Sequence, residues 1–260
     1  MTTIALILLA AAAAFQGVFL FRPSRREAPL SHFLALGAAL LLLGVITQRS
    51  LEIRFVALTN TFESLVFYSG FIALLCFLYR RQTAIPFNGF VQFGALMIAL
   101  ALLALAFSPL APPAVLPPIP ALRSYWLVIH VALSFIGEAF FVLAFAASLA
   151  FLLTREEKKR LLYDRITYTS VAVGYPVFTA GALIFGAVWA EQAWGRYWSW
   201  DPKETWALVT WFVYTIYLHV RIIRKRKDTL PSILSVAGFA CTLFTFFGVN
   251  YLLKGLHSYG

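Results

Sequence analysis

The chain has 260 residues, 61% of them apolar and only 12% charged, with a mean hydropathy of +0.82. Soluble domains hold about 45–50% apolar and about 25% charged residues, so this composition excludes a water-soluble globular protein and points to lipid as the solvent. The formal net charge of +10 is spread over several short connectors, which argues against a nucleic-acid partner. Cys76 and Cys241 lie in separate apolar runs; without a CxxC pair there is neither a thiol redox motif nor a thiolate zinc site.

A bilayer core of about 30 Å needs roughly 20 apolar residues per helix. Eight runs meet or approach that length: residues 3–21, 31–48, 64–79, 88–108, 124–153, 169–190, 204–222 and 232–253. The predicted fold is all-α, a polytopic integral membrane helix bundle of about eight transmembrane helices, read as a single domain over residues 1–260. No basic segment precedes the first run, and Arg22, Arg25 and Arg26 follow it, so it reads as a retained helix rather than a cleaved signal. Residues 51–63 are expected to form an interfacial piece before the short third run, and the fifth run is long enough to project from the membrane. Connectors 22–30, 80–87, 154–168 and 221–231 hold three, two, five and five basic residues, against only Arg49, Arg54, Arg123, Arg196, Lys203 and Lys254 on the alternate connectors. The positive-inside rule places the basic side in the cytoplasm and both termini on the extracytoplasmic side. Six of the twelve prolines fall between 109 and 120, which predicts an extended connector. Pro176 lies inside the sixth run and predicts a kink and a released carbonyl.

Between the sixth and seventh runs, residues 188–206 read VWAEQAWGRYWSWDPKETW, with five of the seven tryptophans: Trp189, Trp194, Trp198, Trp200 and Trp206. One or two indoles at a membrane boundary form an ordinary aromatic belt. Five in one connector, interleaved with Arg196, Asp201, Lys203 and Glu204, suggest a shelf for a flat, apolar ligand with charged edges. Asp201, Pro202 and Glu204 also have the order of a helix start: N-cap, N1 and N3. Arg196 and Lys203 are candidates for pairing with carboxylates; their alternative is ordinary loop charge.

Topology puts two histidines on the same side as this shelf. His130 lies about two turns into the fifth run, and His257 follows the eighth. Two imidazoles beside an aromatic shelf suit a planar macrocycle, whose iron they could bind from opposite faces. His219 lies fifteen residues beyond Glu204, roughly 22 Å deeper along a helix. His32 opens the second run and has no assigned role. Glu138, with Ser134 and Gly137 near the same face, should look into the bundle, and Glu63 is expected either beneath the shelf or simply after a cap at Asn60 or Thr61.

The stretch from Trp194 to Trp206 resembles the WWD signature of haem-handling membrane proteins, and its Asp-Pro-Lys-Glu-Thr-Trp continuation resembles the CcsA/ResC branch of cytochrome c biogenesis (System II). Similar pieces occur at residues 59–65 (TNTFESL), at Ser124 through Val131 (SYWLVIHV), at Leu218-His219 and at residues 255–260 (GLHSYG). The resemblance implies haem b bound by the WWD segment between His130 and His257 on the outer face, an inner haem site at His219, and presentation of haem to apocytochrome c. It further implies a separate CcsB/ResB-like membrane partner and residence in a bacterial plasma membrane or a thylakoid-type membrane. The chain carries no CxxCH motif, so the thiols of thioether formation belong to the client; any holocytochrome c synthase activity would belong to the complex, with no catalytic nucleophile in this chain. The alternatives are a six-helix haem-delivery subunit of the System I type and a non-haem membrane scaffold or regulator.

Overall fold

The structure, a computed structural model, describes residues 1–20 and 30–253. His257 and Lys254, and the arginines at 22, 25 and 26, lie outside the described residues. All regular structure among the described residues is helical. Among the described residues, seven helical segments are long and apolar enough to cross a membrane, and the chain is a multi-pass membrane protein. It divides into two compact units, Met1–Ile119 and Pro120–Gly260.

The first unit contains α1 (Thr2–Leu20), α2 (Ser31–Ile53), α3 (Thr61–Arg81) and α4 (Gly89–Ala106). Each helix packs on its chain neighbour and α1 closes the ring against α4. Short polar ties join them, such as Ser31 Oγ to the Ala12 carbonyl (3.0 Å) and Ser69 Oγ to the Ala99 carbonyl (2.7 Å). Side-chain oxygens of Asn60 and Asn88 cap α3 and α4, each satisfying a helix N–H that has no partner in its own first turn. The interfacial piece expected over 51–63 is mostly not a separate element. Residues 51–53 prolong α2, helped by the Gln48–Glu52 hydrogen bond one turn apart (2.9 Å), and Arg54 ends it in the left-handed region at φ +53°.

A buried ion pair organises one end of this unit. Arg49 Nε donates to Glu63 Oε1 (3.2 Å), and its two terminal nitrogens donate to the carbonyls of Pro113 and Ala114 (3.0 and 2.8 Å). Glu63 is fully buried, and its second oxygen accepts from the Thr59 backbone N–H at 2.9 Å. The proline-rich connector is therefore non-helical, as expected, and is pinned by one guanidinium.

The second unit contains α5 (Tyr125–Leu153), α6 (Glu157–Phe178), a π-turn (Thr179–Phe185), α7 (Gly186–Trp194), α8 (Pro202–Ile222), α9 (Thr229–Leu243), a second π-turn (Phe244–Gly248) and α10 (Val249–Leu252). The 29 residues of α5 span about 43 Å, longer than a bilayer core. α5 and α6 approach backbone to backbone: a Cβ at Gly137 would stand 2.7 Å from the Phe178 nitrogen. Phe141 stacks on Tyr214 at 3.8 Å, and Tyr214 fills the space left by Gly238.

Two sequence expectations change here. The helix expected from 169 begins at Glu157, so the basic connector 154–168 is largely helical. Its charged face hides Tyr163, Asp164, Ile166 and Thr167 at helical spacing, and Arg221 grips Asp164 through two hydrogen bonds of 3.0 and 2.6 Å. The run 204–222 is a helix, but α8 is not among the seven segments apolar enough to span by composition, because Trp, Tyr, Thr, His219 and Arg221 dilute its aliphatic residues. Near Pro176 the irregularity takes the form of the π-turn, which starts three residues later.

Candidate functional site

The tryptophans of residues 189–206 occupy one end of the second unit, in distinct settings. Trp189 is 1% exposed; it packs on Leu122 and Leu127, and its indole N–H donates to the Ala121 carbonyl at 3.1 Å. Trp194 meets it edge-on, with centroids 6.2 Å apart. Gly195 then stops α7 at φ +69°, its N–H bonded to the Glu191 carbonyl, a left-handed cap that favours glycine. Trp198 and Trp200 meet edge-on at 5.8 Å. Trp206 sits inside α8 against Phe244, at 4.2 Å. The indole N–H groups of Trp194 and Trp198 are buried without a hydrogen-bond partner, which is costly unless something else accepts from them.

The turn between α7 and α8 is held by Glu204. Its carboxylate accepts from the Ser199 backbone N–H (2.7 Å), the Ser199 hydroxyl (3.1 Å) and the Asp201 N–H (3.3 Å). Asp201 in turn accepts from the Lys203 N–H at 2.9 Å and from the Glu204 N–H, the second of which completes a reciprocal capping box. Between them Trp200 is held at φ +59° and is 69% exposed, a conformation that costs a bulky residue of order 1–3 kcal/mol. The structural role expected of Asp201 and Glu204 is therefore real, and the turn they hold leaves the Trp200 indole exposed.

His130 lies on α5 beside this cluster. Its ring is nearly parallel to Trp189 (7°, centroids 6.0 Å apart), and its Nδ1 is 2.8 Å from the Gly181 carbonyl in the π-turn. A carbonyl can only accept, so Nδ1 bears the proton, and in the neutral ring the lone pair is then on Nε2. Ser134, grouped with Glu138 by the sequence, is instead bonded to its own helix through the His130 carbonyl (2.6 Å). Glu138 is 7% exposed and faces the interior of the unit, as its depth in the helix leads one to expect.

Lys203 Nζ donates to Asn250 Oδ1 on α10 at 2.8 Å, tying the last described helix to the start of α8. Arg196 is exposed on the turn. A cleft of about 420 Å³ opens beside the cluster, lined by Pro120, Ala121, Arg123, Ser124, Gln192 and Ala193. His219 is exposed near the far end of α8, away from the tryptophans by the length of that helix. Glu63 in the first unit is committed to Arg49 and Thr59. The structure thus brings together His130, Trp189 and Trp194, groups Trp198, Trp200, Asp201 and Glu204 in the turn, and leaves His219 apart. Gly181, Gly186 and Asn250 escaped sequence reasoning. No motif encodes a π-turn, although Pro176 three residues before it is the available signal.

Residues 58–257 match the family model described as cytochrome C assembly protein. The chain belongs to that family. Among curated members it is 37% identical over 216 residues to the cytochrome c biogenesis protein CcsA of Chlamydomonas reinhardtii, covering 78% of this chain and 60% of that protein. It is 36% identical to the CcsA of Mesostigma viride (78% of this chain, 77% of that protein) and 31% identical to the CcsA of Gloeobacter violaceus (90% and 88%). A solved structure titled cytochrome c haem lyase CcmF shares the fold, with a TM-score of 0.72 over 98% of this chain and 46% of that one, at 16% identity. Resemblance to the family and fold therefore extends over nearly all of the sequence, and the matched segment contains His130, His219, His257 and the whole tryptophan stretch.

Proposed function

We propose that this protein acts in cytochrome c maturation, holding haem on the extracytoplasmic face of the membrane for covalent attachment to apocytochrome c. Haem is cargo here: it supplies the iron and the vinyl groups, while the client supplies the thiols. The observation that carries the reading is His130, laid parallel to a buried tryptophan with its Nδ1 fixed by a backbone carbonyl, the usual way a metal-binding imidazole is held by its surroundings. The unpartnered N–H groups of Trp194 and Trp198 give the same end of the unit two donors that suit a flat ligand bearing acceptors.

In this reading His130 is one axial ligand and His257 the other, and the Lys203–Asn250 bond anchors α10 seven residues before His257. Trp189 backs the ring of His130; Trp194, Trp198, Trp200 and Trp206 stack and exclude water. Asp201 orders the turn, and Arg196 or Lys203 meets the haem carboxylates. His219 marks an inner site reached first from the cytoplasm. A CcsB/ResB-like membrane protein completes the synthase, in a bacterial plasma membrane or a thylakoid-type membrane with the tryptophan segment outside. Among the described residues, the seven segments long and apolar enough to cross a membrane, with α8 beside them, favour the System II arrangement over a six-helix delivery subunit.

The test is to purify the wild type and the His130→Ala and His257→Ala variants from haem-replete cells. The wild type is expected to carry a Soret band that shifts or disappears in each variant. Equal haem content and identical spectra in all three would remove the outer-site ligands, and no haem in any preparation would favour a scaffold.

A further inference from the structure

The first π-turn and Gly186 form a feature that the family resemblance does not address. In an α-helix each carbonyl is directed at the N–H four residues on. The wider turn at Thr179–Phe185 instead sends the Gly186 N–H back to the Gly181 carbonyl, five residues earlier, and that same carbonyl lies 2.8 Å from His130 Nδ1. Close approach requires glycine at 181 and makes any side chain at 186 displace the histidine ring. A Cβ at Gly181 would stand 2.4 Å from the Ser134 nitrogen, and one at Gly186 would stand 3.0 Å from His130 Nδ1 and 3.1 Å from its Cε1. Trp189 follows three residues later and lies parallel to the ring. The imidazole is thus bounded by a carbonyl, a missing side chain and an indole, all supplied by one irregular helix.

We propose that this π-turn, with Gly186, is a positioning device for His130: it fixes the proton on Nδ1 and the plane of the ring, so that Nε2 is the nitrogen offered to iron. Gly181 and Gly186 are positioning residues, acting only through His130. A regular helix through 179–186 would carry one fewer residue over the same rise, turn the Gly181 carbonyl back along the axis, and leave the histidine tautomer unspecified. π-turns inside helices are frequently found at functional sites, and outer-shell groups of this kind typically change metal affinity by 10–100-fold. The proposal rests on the reading of His130 as a haem ligand, but its first measurement does not need haem.

The full-length protein, prepared haem-free with 15N-labelled histidine, is placed in lipid nanodiscs, and the His130 signals are identified by their loss in His130→Gln. At a pH where the ring is neutral, the wild type is expected to show a protonated Nδ1 and an unprotonated Nε2. Gly186→Ala, which pushes the ring off the carbonyl, is expected to lower the ratio of the two tautomers about fivefold, the equivalent of one hydrogen bond, and to speed loss of added ferric haem about tenfold. A wild-type ring protonated on Nε2 would overturn the proposal without touching the haem reading. So would a Gly186→Ala protein with unchanged tautomer and haem retention. Should that variant fail to fold, the wild-type tautomer decides alone. Unaltered haem in His130→Ala, by contrast, would defeat the ligand assignment itself.

Discussion

Glu204 is predicted to matter more to the tryptophan turn than Asp201, although Asp201 is the N-cap. Replacing an N-cap aspartate by alanine typically costs about 1 kcal/mol, and here it removes the acceptor for two N–H groups, that of Lys203 at 2.9 Å and that of Glu204 in the capping box. Glu204→Ala removes the acceptor for the Ser199 N–H, the Ser199 hydroxyl and the Asp201 N–H together. A hydrogen bond to a charged group contributes about 1.5–3 kcal/mol; contacts sharing one carboxylate are not additive, so about 3 kcal/mol is a fair total. The left-handed backbone at Trp200 adds to the tendency to relax once those bonds are gone. A local opening made easier by about 3 kcal/mol exchanges its amides about 150-fold faster. Hydrogen exchange read by mass spectrometry on a peptide covering 195–206 should therefore show strong deprotection in Glu204→Ala, about fivefold in Asp201→Ala, and an intermediate value in Glu204→Gln. Equal deprotection in the two alanine variants, or none in Glu204→Ala, would refute the reasoning.

The Asp164–Arg221 pair is nearly buried, at 7% and 13% side-chain exposure, so Asp164→Asn should cost about 3–5 kcal/mol while the double change Asp164→Leu/Arg221→Met comes close to neutral; apparent melting temperatures in detergent measure both. Arg49→Met should free the Pro113 and Ala114 carbonyls and open the proline-rich connector to proteolysis, with new fragments mapping between residues 109 and 119. Asn250→Leu should lower haem retention no more than Lys203→Met, and the double variant no more than Lys203→Met alone, because the asparagine acts only through its bond to Lys203; a further loss in the double variant would show a separate role for Asn250. Gly174→Val should fail to accumulate in the membrane, since even a Cβ there would meet the Gly137 carbonyl oxygen at 2.8 Å.

Most of the helical order was legible because lipid imposes a length and an apolarity that few other contexts demand, and α1, α4 and α5 lie close to their expected positions. The start of α6 was not, because residues 157–168 carry the charges of a connector while Arg221, 57 residues away, supplies the partner that lets Asp164 be buried. In the sequence Arg49 reads as connector charge and Glu63 as lying beneath the shelf or after a cap for the same reason: an ion pair formed by two helices leaves no local pattern. The capping box at Asp201 and Glu204 was legible since its signal is three residues long. The tie between His130 and Gly181 was not, for it joins positions 51 apart through a turn type with no sequence signature.

Delivery of His130 Nε2 to haem iron beside Trp189 can be probed with His130→Gly and exogenous imidazole. Freed of its side chain, the site should lose the low-spin absorption of the wild type and recover it as imidazole is titrated in, since the added ring can occupy the space against Trp189. Wild-type absorption in the untreated variant, with no response to imidazole, would contradict the account.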